Sequence, residues 1–268
     1  MHLRICFVTP FAWSQPHDVN EHVEGAASAL RARGHEVTVL APSGRRRDLL
    51  AGRHALARGG HHDLIAIGPA VPVSRRSVVG VASRANLRVA LQQGAFDVVH
   101  GFEPGLPSIS QLALTESSAL TVATFTSPDR LRVPSTRAQR DRFRARVDAL
   151  LATSPEAAEA AADRFPGDFE VVPAGVDLER FHPGAKRQTI VAHAESGSRP
   201  LARALVRALD ELPGWELVLL HRTPLTVRPA IPRRLRDRVC VRLGRRPEAR
   251  AAILSAAALF VPATEEGD

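Results

Sequence analysis

The sequence predicts an α/β protein made of two Rossmann-like units with mostly parallel sheets. Three observations carry this reading. Short apolar runs alternate with stretches of helical period along nearly the whole chain. The alternation breaks once, around Pro183-Gly184, and then restarts. The length of 268 residues suits two domains at ~100–200 residues each.

The first run, 3–8 (LRICFV), has the character of a buried strand. After a polar loop through Pro16, His17 and Asp18, residues Val19, Val23, Ala26, Ala27 and Leu30 recur at helical spacing. Gly34 suits the position just past the helix, where a left-handed backbone favours glycine, and 36–40 (EVTVL) forms the next strand. This βαβ unit implies parallel strands and a right-handed crossover. Further strands are expected at 63–67, 97–100, 120–125 and 169–173, with helices near 84–93, 107–117, 136–151 and 155–165. Ser154-Pro155-Glu156 is a helix start: a capping hydroxyl, proline at the first position, then an acid facing the positive helix end. Beyond the break, strands are expected near 189–193, 215–220, 239–243 and 259–262, and helices near 200–211, 230–237 and 247–257. The division is a first domain over 1–173, a junction over 174–186 and a second domain over 187–268.

Composition narrows the function classes. Hydrophobic residues make up 44% of the chain and charged residues 24%, enough apolar matter for a packed core and against disorder. No apolar run approaches the ~18–20 residues of a membrane span, and MHLRICFVTPFAW has no signal-peptide pattern. Cys6 and Cys240 sit far apart in strand-like runs, which reads as reduced core residues in a cytoplasmic protein. The net charge is +8, and Lys186 is the sole lysine, so 35 of the 36 basic residues are arginine. Acidic residues are interspersed among them and aromatics are only 4%, which argues against a nucleic-acid partner, where stacking rings would be needed.

No phosphate-binding P-loop, G-x-G-x-x-G, G-x-S-x-G or H-E-x-x-H motif occurs. His17, Asp18, Glu21 and His22 resemble a metal set only superficially, since helical spacing puts Glu21 and His22 on a solvated face. In open α/β sheets ligands bind beyond the carboxyl ends of the strands, so the loops of interest are 9–18, 100–106 and 126–135.

Five stretches carry a family resemblance: RICFVTPFAW through VNEHVEGAASALRARGHEVTVLAP (4–42), FDVVHGFEPGLPSISQLAL (96–114), VATFTSP (122–128), FPGDFEVVPAGVDLERFHP (165–183) and ILSAAALFVPATEEGD (253–268). The chain resembles the family-4 retaining glycosyltransferases of GT-B architecture, and is most similar to their phosphatidylinositol mannosyltransferase-like group. The most specific element is P-x-G-V-D-x-x-x-F, Pro173 to Phe181. The resemblance implies an acceptor-binding first domain and a second domain that takes a nucleotide diphosphate sugar. It also implies sugar transfer with retention to a lipid or small-molecule acceptor, without metal or other cofactor.

The resemblance maps the family's functional positions onto this chain and exposes departures. The family's Gly-Gly phosphate loop reads His17-Asp18, ahead of His22, so bulk and negative charge stand where open backbone is expected. The family histidine of A-T-F-H is Thr126, followed by Ser127. In 193–201 the remaining donor-side cation is Arg199, and the junction offers Gly175 and Asp177. Glu266 matches the first glutamate of the E-x7-E pair, and the second has no counterpart, so the second domain is expected to be incomplete and prone to self-association. Three residue-level readings stay open: Glu103 as an acceptor contact or loop chemistry, Asp177 as a ligand or a turn cap, and the arginines of 136–151 as a solvated face or a contact with anionic membrane at its inner surface. Two functions follow, a sugar transferase or a degraded homologue that acts as a binding or regulatory partner.

Overall fold

The computed structural model describes residues 1–71, 80–193, 199–221, 231–243 and 247–262. The chain divides into two compact units, Met1–Gly175 and Val176–Asp268.

The first unit begins with β1 (Arg4–Val8), α1 (Asp18–Ala32) and β2 (Glu36–Ser43), joined through Gly34 at φ +87°, a conformation glycine adopts without a Cβ clash. There follow α2 (Arg46–Arg58), β3 (Leu64–Pro69), α3 (Val81–Gly94), β4 (Val98–Phe102), α4 (Ile109–Glu116) and β5 (Leu120–Phe125). The unit closes with α5 (Arg137–Arg144), β6 (Ala149–Ala152), α6 (Pro155–Ala162) and β7 (Phe169–Val171). All seven strands run parallel in the order β3-β2-β1-β4-β5-β6-β7. Because side chains alternate along a strand, β1 sends Ile5 and Phe7 into one core with Val19, Val23, Ala27 and Phe102. It sends Cys6 and Val8 into another with Leu40, Ile67 and Leu87, and burial there pushes the Cys6 thiol pKa far up. The sheet is thus covered on both faces, as parallel sheets require.

The second unit contains β8 (Arg187–His193), α7 (Arg199–Ala208), β9 (Glu216–His221), β10 (Val239–Leu243), α8 (Pro247–Ala256) and β11 (Ala257–Val261). Its four parallel strands are ordered β10-β9-β8-β11. Ile190, Ala192, Val206, Leu209, Leu217 and Leu219 form its main core, and Cys240 is only partly buried. Both units have the mixed α/β, parallel-sheet character expected from the alternation.

Three local expectations need correction. The single helix over 136–151 is instead α5, a turn, and the strand β6. The Asp148 carboxylate accepts the Thr121 amide at 2.7 Å and so aligns Ala149–Ala152 beside β5, where four short apolar residues pair rather than continue a helix. The helix near 230–237 reduces to one 3-10 turn, Arg233–Leu235, behind Pro232, whose ring cannot sit inside a helix. Helix α2 was not signalled, because four arginines and the helix-weakening Gly52 dilute its apolar stripe of Ala55 and Leu56. Among the described residues, no helix is long and apolar enough to cross a membrane.

Candidate functional site

In the first unit, β1 and β4 are the neighbours at which strand order reverses, and their carboxyl-terminal loops together with that of β5 carry the polar residues of interest. The loop after β1 is held by buried Asn20. Its Oδ1 accepts the Thr9 hydroxyl at 2.7 Å, and its Nδ2 donates to the Ala12 carbonyl at 3.1 Å. The Phe11 amide donates back to Thr9 Oγ1 at 3.3 Å. This fixes Phe11 beneath the His17 ring, stacked at 3.5 Å between centroids.

His17 caps α1, its Nδ1 accepting the Val19 amide at 3.2 Å. The same nitrogen lies 2.8 Å from Asp18 Oδ1, a contact that needs a proton on Nδ1. The two contacts therefore belong to opposite protonation states of one atom. Glu21 and His22 were expected on a solvated face. The structure places His22 half-buried, edge-on to Phe102 at 5.7 Å, and burial lowers its pKa.

Glu103 lies just past β4, fully buried, with φ +52°. This left-handed conformation is rarely adopted by residues with a Cβ and aims the carboxylate at the loop after β5. Its Oε1 accepts from the Thr126 amide at 2.9 Å, from the Thr126 hydroxyl, and from Arg130 Nη1 at 3.4 Å. Its Oε2 is buried without a hydrogen-bond partner among the described residues. Burial pushes the Glu103 pKa up, and the Thr126 and Arg130 interactions oppose that rise without cancelling it. The two loops meet at Gly105, whose carbonyl accepts the Arg132 amide at 2.7 Å and the Val133 amide at 2.8 Å. A Cβ on Gly105 would strike the Arg130 carbonyl, so only glycine permits this approach.

Arg130 joins the loops electrostatically. It closes the 3-10 turn Pro128–Arg130 that Ser127 precedes, and the Ser127 carbonyl accepts its amide at 3.3 Å. Nη1 reaches Glu103 and, at 3.1 Å, Thr126 Oγ1, while Nη2 reaches Asp18 Oδ2 at 3.2 Å. The guanidinium carbon stands 5.2 Å from the Phe11 centroid, a cation–π distance. For Asp18, partial burial works to raise the pKa, but the His17 hydrogen bond and the Arg130 charge outweigh it and hold the carboxyl well below its usual range. The negative charge that replaces open backbone at this loop is therefore paired. Beneath the cluster, His100 stacks on Phe102 at 4.3 Å and contacts Thr124 Oγ1 at 2.6 Å, and burial followed by repulsion from His22 takes its pKa down to about 3.

The structure thus links His17, Asp18, Glu103 and Thr126 and adds Phe11 and Arg130 to them, at the strand ends where this topology places a ligand crevice; Ser127 precedes the turn that holds Arg130, and His22 packs on Phe102. Both additions fall inside the loops of interest, but nothing in residue type separates Arg130 from the other arginines. Asp177 caps the turn that follows it, its Oδ1 accepting the Glu179 and Arg180 amides, each at 3.1 Å. Gly175 is exposed, and a Cβ there would meet nothing within 4 Å, so no close approach demands glycine. Arg199 begins α7, immediately after residues that lie outside those described, and Glu266 lies outside them. Among the described residues, no group of three or more His, Cys, Asp or Glu is placed to hold a metal ion.

Comparison with known proteins adds context. The model of Glycosyltransferase Family 4 matches residues 19–180. The phosphatidyl-myo-inositol mannosyltransferase of Propionibacterium freudenreichii subsp. shermanii is 33% identical over 166 residues, covering 59% of this chain and 42% of that protein. Its namesake from Mycolicibacterium smegmatis is 35% identical over 128 residues, covering 46% of this chain and 30% of that protein. The chain therefore spans less than half the length of these curated relatives. Among solved structures, sucrose-phosphate synthase from Thermosynechococcus elongatus superposes with a TM-score of 0.59 at 17% identity, over 96% of this chain and 74% of that one. The catalytic domain of starch synthase IV from Arabidopsis thaliana gives 0.58 at 13% identity, over 97% and 78%. At these identities the structural likeness supports the GT-B fold and nothing finer.

Proposed function

This chain belongs to glycosyltransferase family 4, and from that premise we propose that the crevice of its first unit receives the acceptor of a sugar-transfer reaction. The donor in this reading is a nucleotide diphosphate sugar, transferred with retention to a hydroxyl of a lipid or small-molecule acceptor. The acceptor oxygen bonds to the anomeric carbon while the bond to the diphosphate oxygen breaks, and the hydroxyl proton passes to the departing diphosphate. Neither a metal nor a further cofactor enters this scheme.

The observation that carries the reading is the Glu103–Thr126–Arg130 group at the strand ends. A buried carboxylate, a hydroxyl and a guanidinium together accept from and donate to a polyol, and hydrogen bonds to charged groups contribute about 1.5–3 kcal/mol each. On the donor side, Arg199 is the residue proposed to neutralise the departing diphosphate, with Gly175 and Asp177 at the junction and Glu266 on the sugar. A second reading, a degraded homologue that binds without turning over, is favoured by Thr126 and by Asp18. A threonine cannot supply the proton chemistry of an imidazole, and a carboxylate occupies the first position of α1. In either reading, the exposed Arg137, Arg142 and Arg146 of α5 and the turn after it form a basic face suited to weak contact with anionic membrane.

The test is to incubate the chain with UDP- and GDP-hexoses and with polyol or phospholipid acceptors, and to read product by mass spectrometry and ligand binding by calorimetry. Product formation, lost in Glu103→Gln and in Arg130→Met, is the expected result. Acceptor and nucleotide binding without product establishes the binding-protein reading. Acceptor binding that both variants leave unchanged rejects the crevice as the acceptor site.

A further inference from the structure

The crevice carries a charge arrangement that bears on which acceptor it takes. Arg130 is the guanidinium in contact with the cluster carboxylates, and both of its terminal nitrogens are engaged, Nη1 on Glu103 and Nη2 on Asp18. One positive charge therefore faces two carboxylates. Asp18 is further fastened by the His17 ring at 2.8 Å. A phosphate entering here would have to displace a carboxylate from Arg130 and then remain beside it, and like charges at such distances repel in a partly buried site. A neutral hydroxyl meets no such opposition. Glu103 Oε2, buried and without a partner among the described residues, is an acceptor in want of a hydroxyl donor.

We propose that this crevice selects an uncharged polyol face over a phosphorylated one, and that Asp18 is the residue that sets the choice by occupying Arg130. The proposal rests on the acceptor reading given above and narrows it. The ligand class is a ring or chain bearing adjacent hydroxyls. Any phosphate on the acceptor is held away from Arg130. Thr126 adds to this selection, because its hydroxyl, already donating to Glu103 and accepting from Arg130, leaves room for one more hydrogen bond from a ligand hydroxyl.

The test uses NMR titration of the full chain with two probes, myo-inositol and inositol 1-phosphate. Wild type is expected to bind the neutral polyol at least about tenfold more tightly than its phosphate. Asp18→Asn, which removes the negative charge that faces Nη2 of Arg130, is expected to raise affinity for the phosphate about five- to tenfold relative to the polyol. Adding Arg130→Met to Asp18→Asn removes that gain. Asp18→Ser, a residue equally at home at a helix start, gives the same comparison should Asp18→Asn fail to fold. A wild-type preference for the phosphate, or an Asp18→Asn effect equal on both probes, overturns the selection while leaving the acceptor site in place. If neither probe binds any variant, the acceptor reading falls, and this inference falls with it.

Discussion

The two sheets open with the same strand order and end with different chemistry. Taken in chain order within each unit, β3-β2-β1-β4 in the first matches β10-β9-β8-β11 in the second, so each has a reversal between its first and fourth strands. In the first unit three more strands continue the sheet past β4, and the reversal carries the Glu103–Arg130–Asp18 group. In the second, β11 is an edge strand, and His193 at the end of β8 meets Phe260 of β11 edge-on at 5.1 Å. Shared topology fixes where a ligand crevice forms, and the loops decide what it can bind. The first unit buries Phe102, Phe125, Phe143 and Phe165 almost completely, whereas the second leaves Leu259 and Phe260 about half exposed.

The sharpest way to separate the two regions is to break one core and watch the other. Phe125 is fully buried and meets Phe165 at 5.3 Å and Phe169 at 5.7 Å. Phe125→Ala leaves a ring-sized cavity and is expected to destabilise the first unit by about 3–5 kcal/mol. Each unit contains one tryptophan, Trp13 packed on the first core and Trp215 on the second. Urea titrations of single-tryptophan variants should show the Trp13 transition moving to lower denaturant and the Trp215 transition holding still. A matching shift in both would mean that the two units unfold as one.

A smaller effect comes from pH. The folded His100 titrates at about 3, against an ordinary value near 6.5. Between those values the unfolded chain takes up a proton that the folded chain refuses, so stability is full above about pH 6.5 and falls as pH drops toward 3. One such proton changes stability by up to about 1.4 kcal/mol per pH unit. From pH 6.5 to 5.0 the first unit should lose about 1–2 kcal/mol, and half-buried His22, shifted the same way, adds to the slope. His100→Gln keeps a hydrogen-bonding group for Thr124 and should flatten most of it. An unchanged slope in the variant would assign the acid sensitivity to other groups.

The fold was legible because its signals are local: apolar runs of strand length, Gly34 after α1, and Ser154-Pro155 before α6. Errors arose where a tertiary contact overrides them. Nothing around Asp148 announces that its carboxylate will dock on Thr121 and turn 149–152 into a strand. The site divided along the same line. Glu103 was visible as a carboxylate at a strand end, and His17-Asp18 as a departure from a glycine loop. Arg130 was not, since its role depends on 3.2–3.4 Å contacts to residues 27 and 112 positions away.

The smallest expected change in stability tests the exposed edge of the second unit. Along a strand, neighbouring side chains face opposite sides of the sheet, so Leu259, 51% exposed, and Phe260, 46% exposed, show that neither face of β11 is fully covered. The edge of β11 away from β8 also has no ladder partner among the described residues. An uncovered apolar edge is a template for pairing with another chain, and a charged side chain there opposes pairing. Leu259→Lys combined with Phe260→Ser removes half-exposed groups and is expected to alter unfolding of the second unit by no more than about 1 kcal/mol. Its effect on association should be plain. In sedimentation velocity the wild-type chain is expected to show a concentration-dependent shift to larger species, and the double variant to stay at the smallest one. Equal behaviour of the two chains would show that β11 takes no part in association, leaving the contrast between the units one of packing alone.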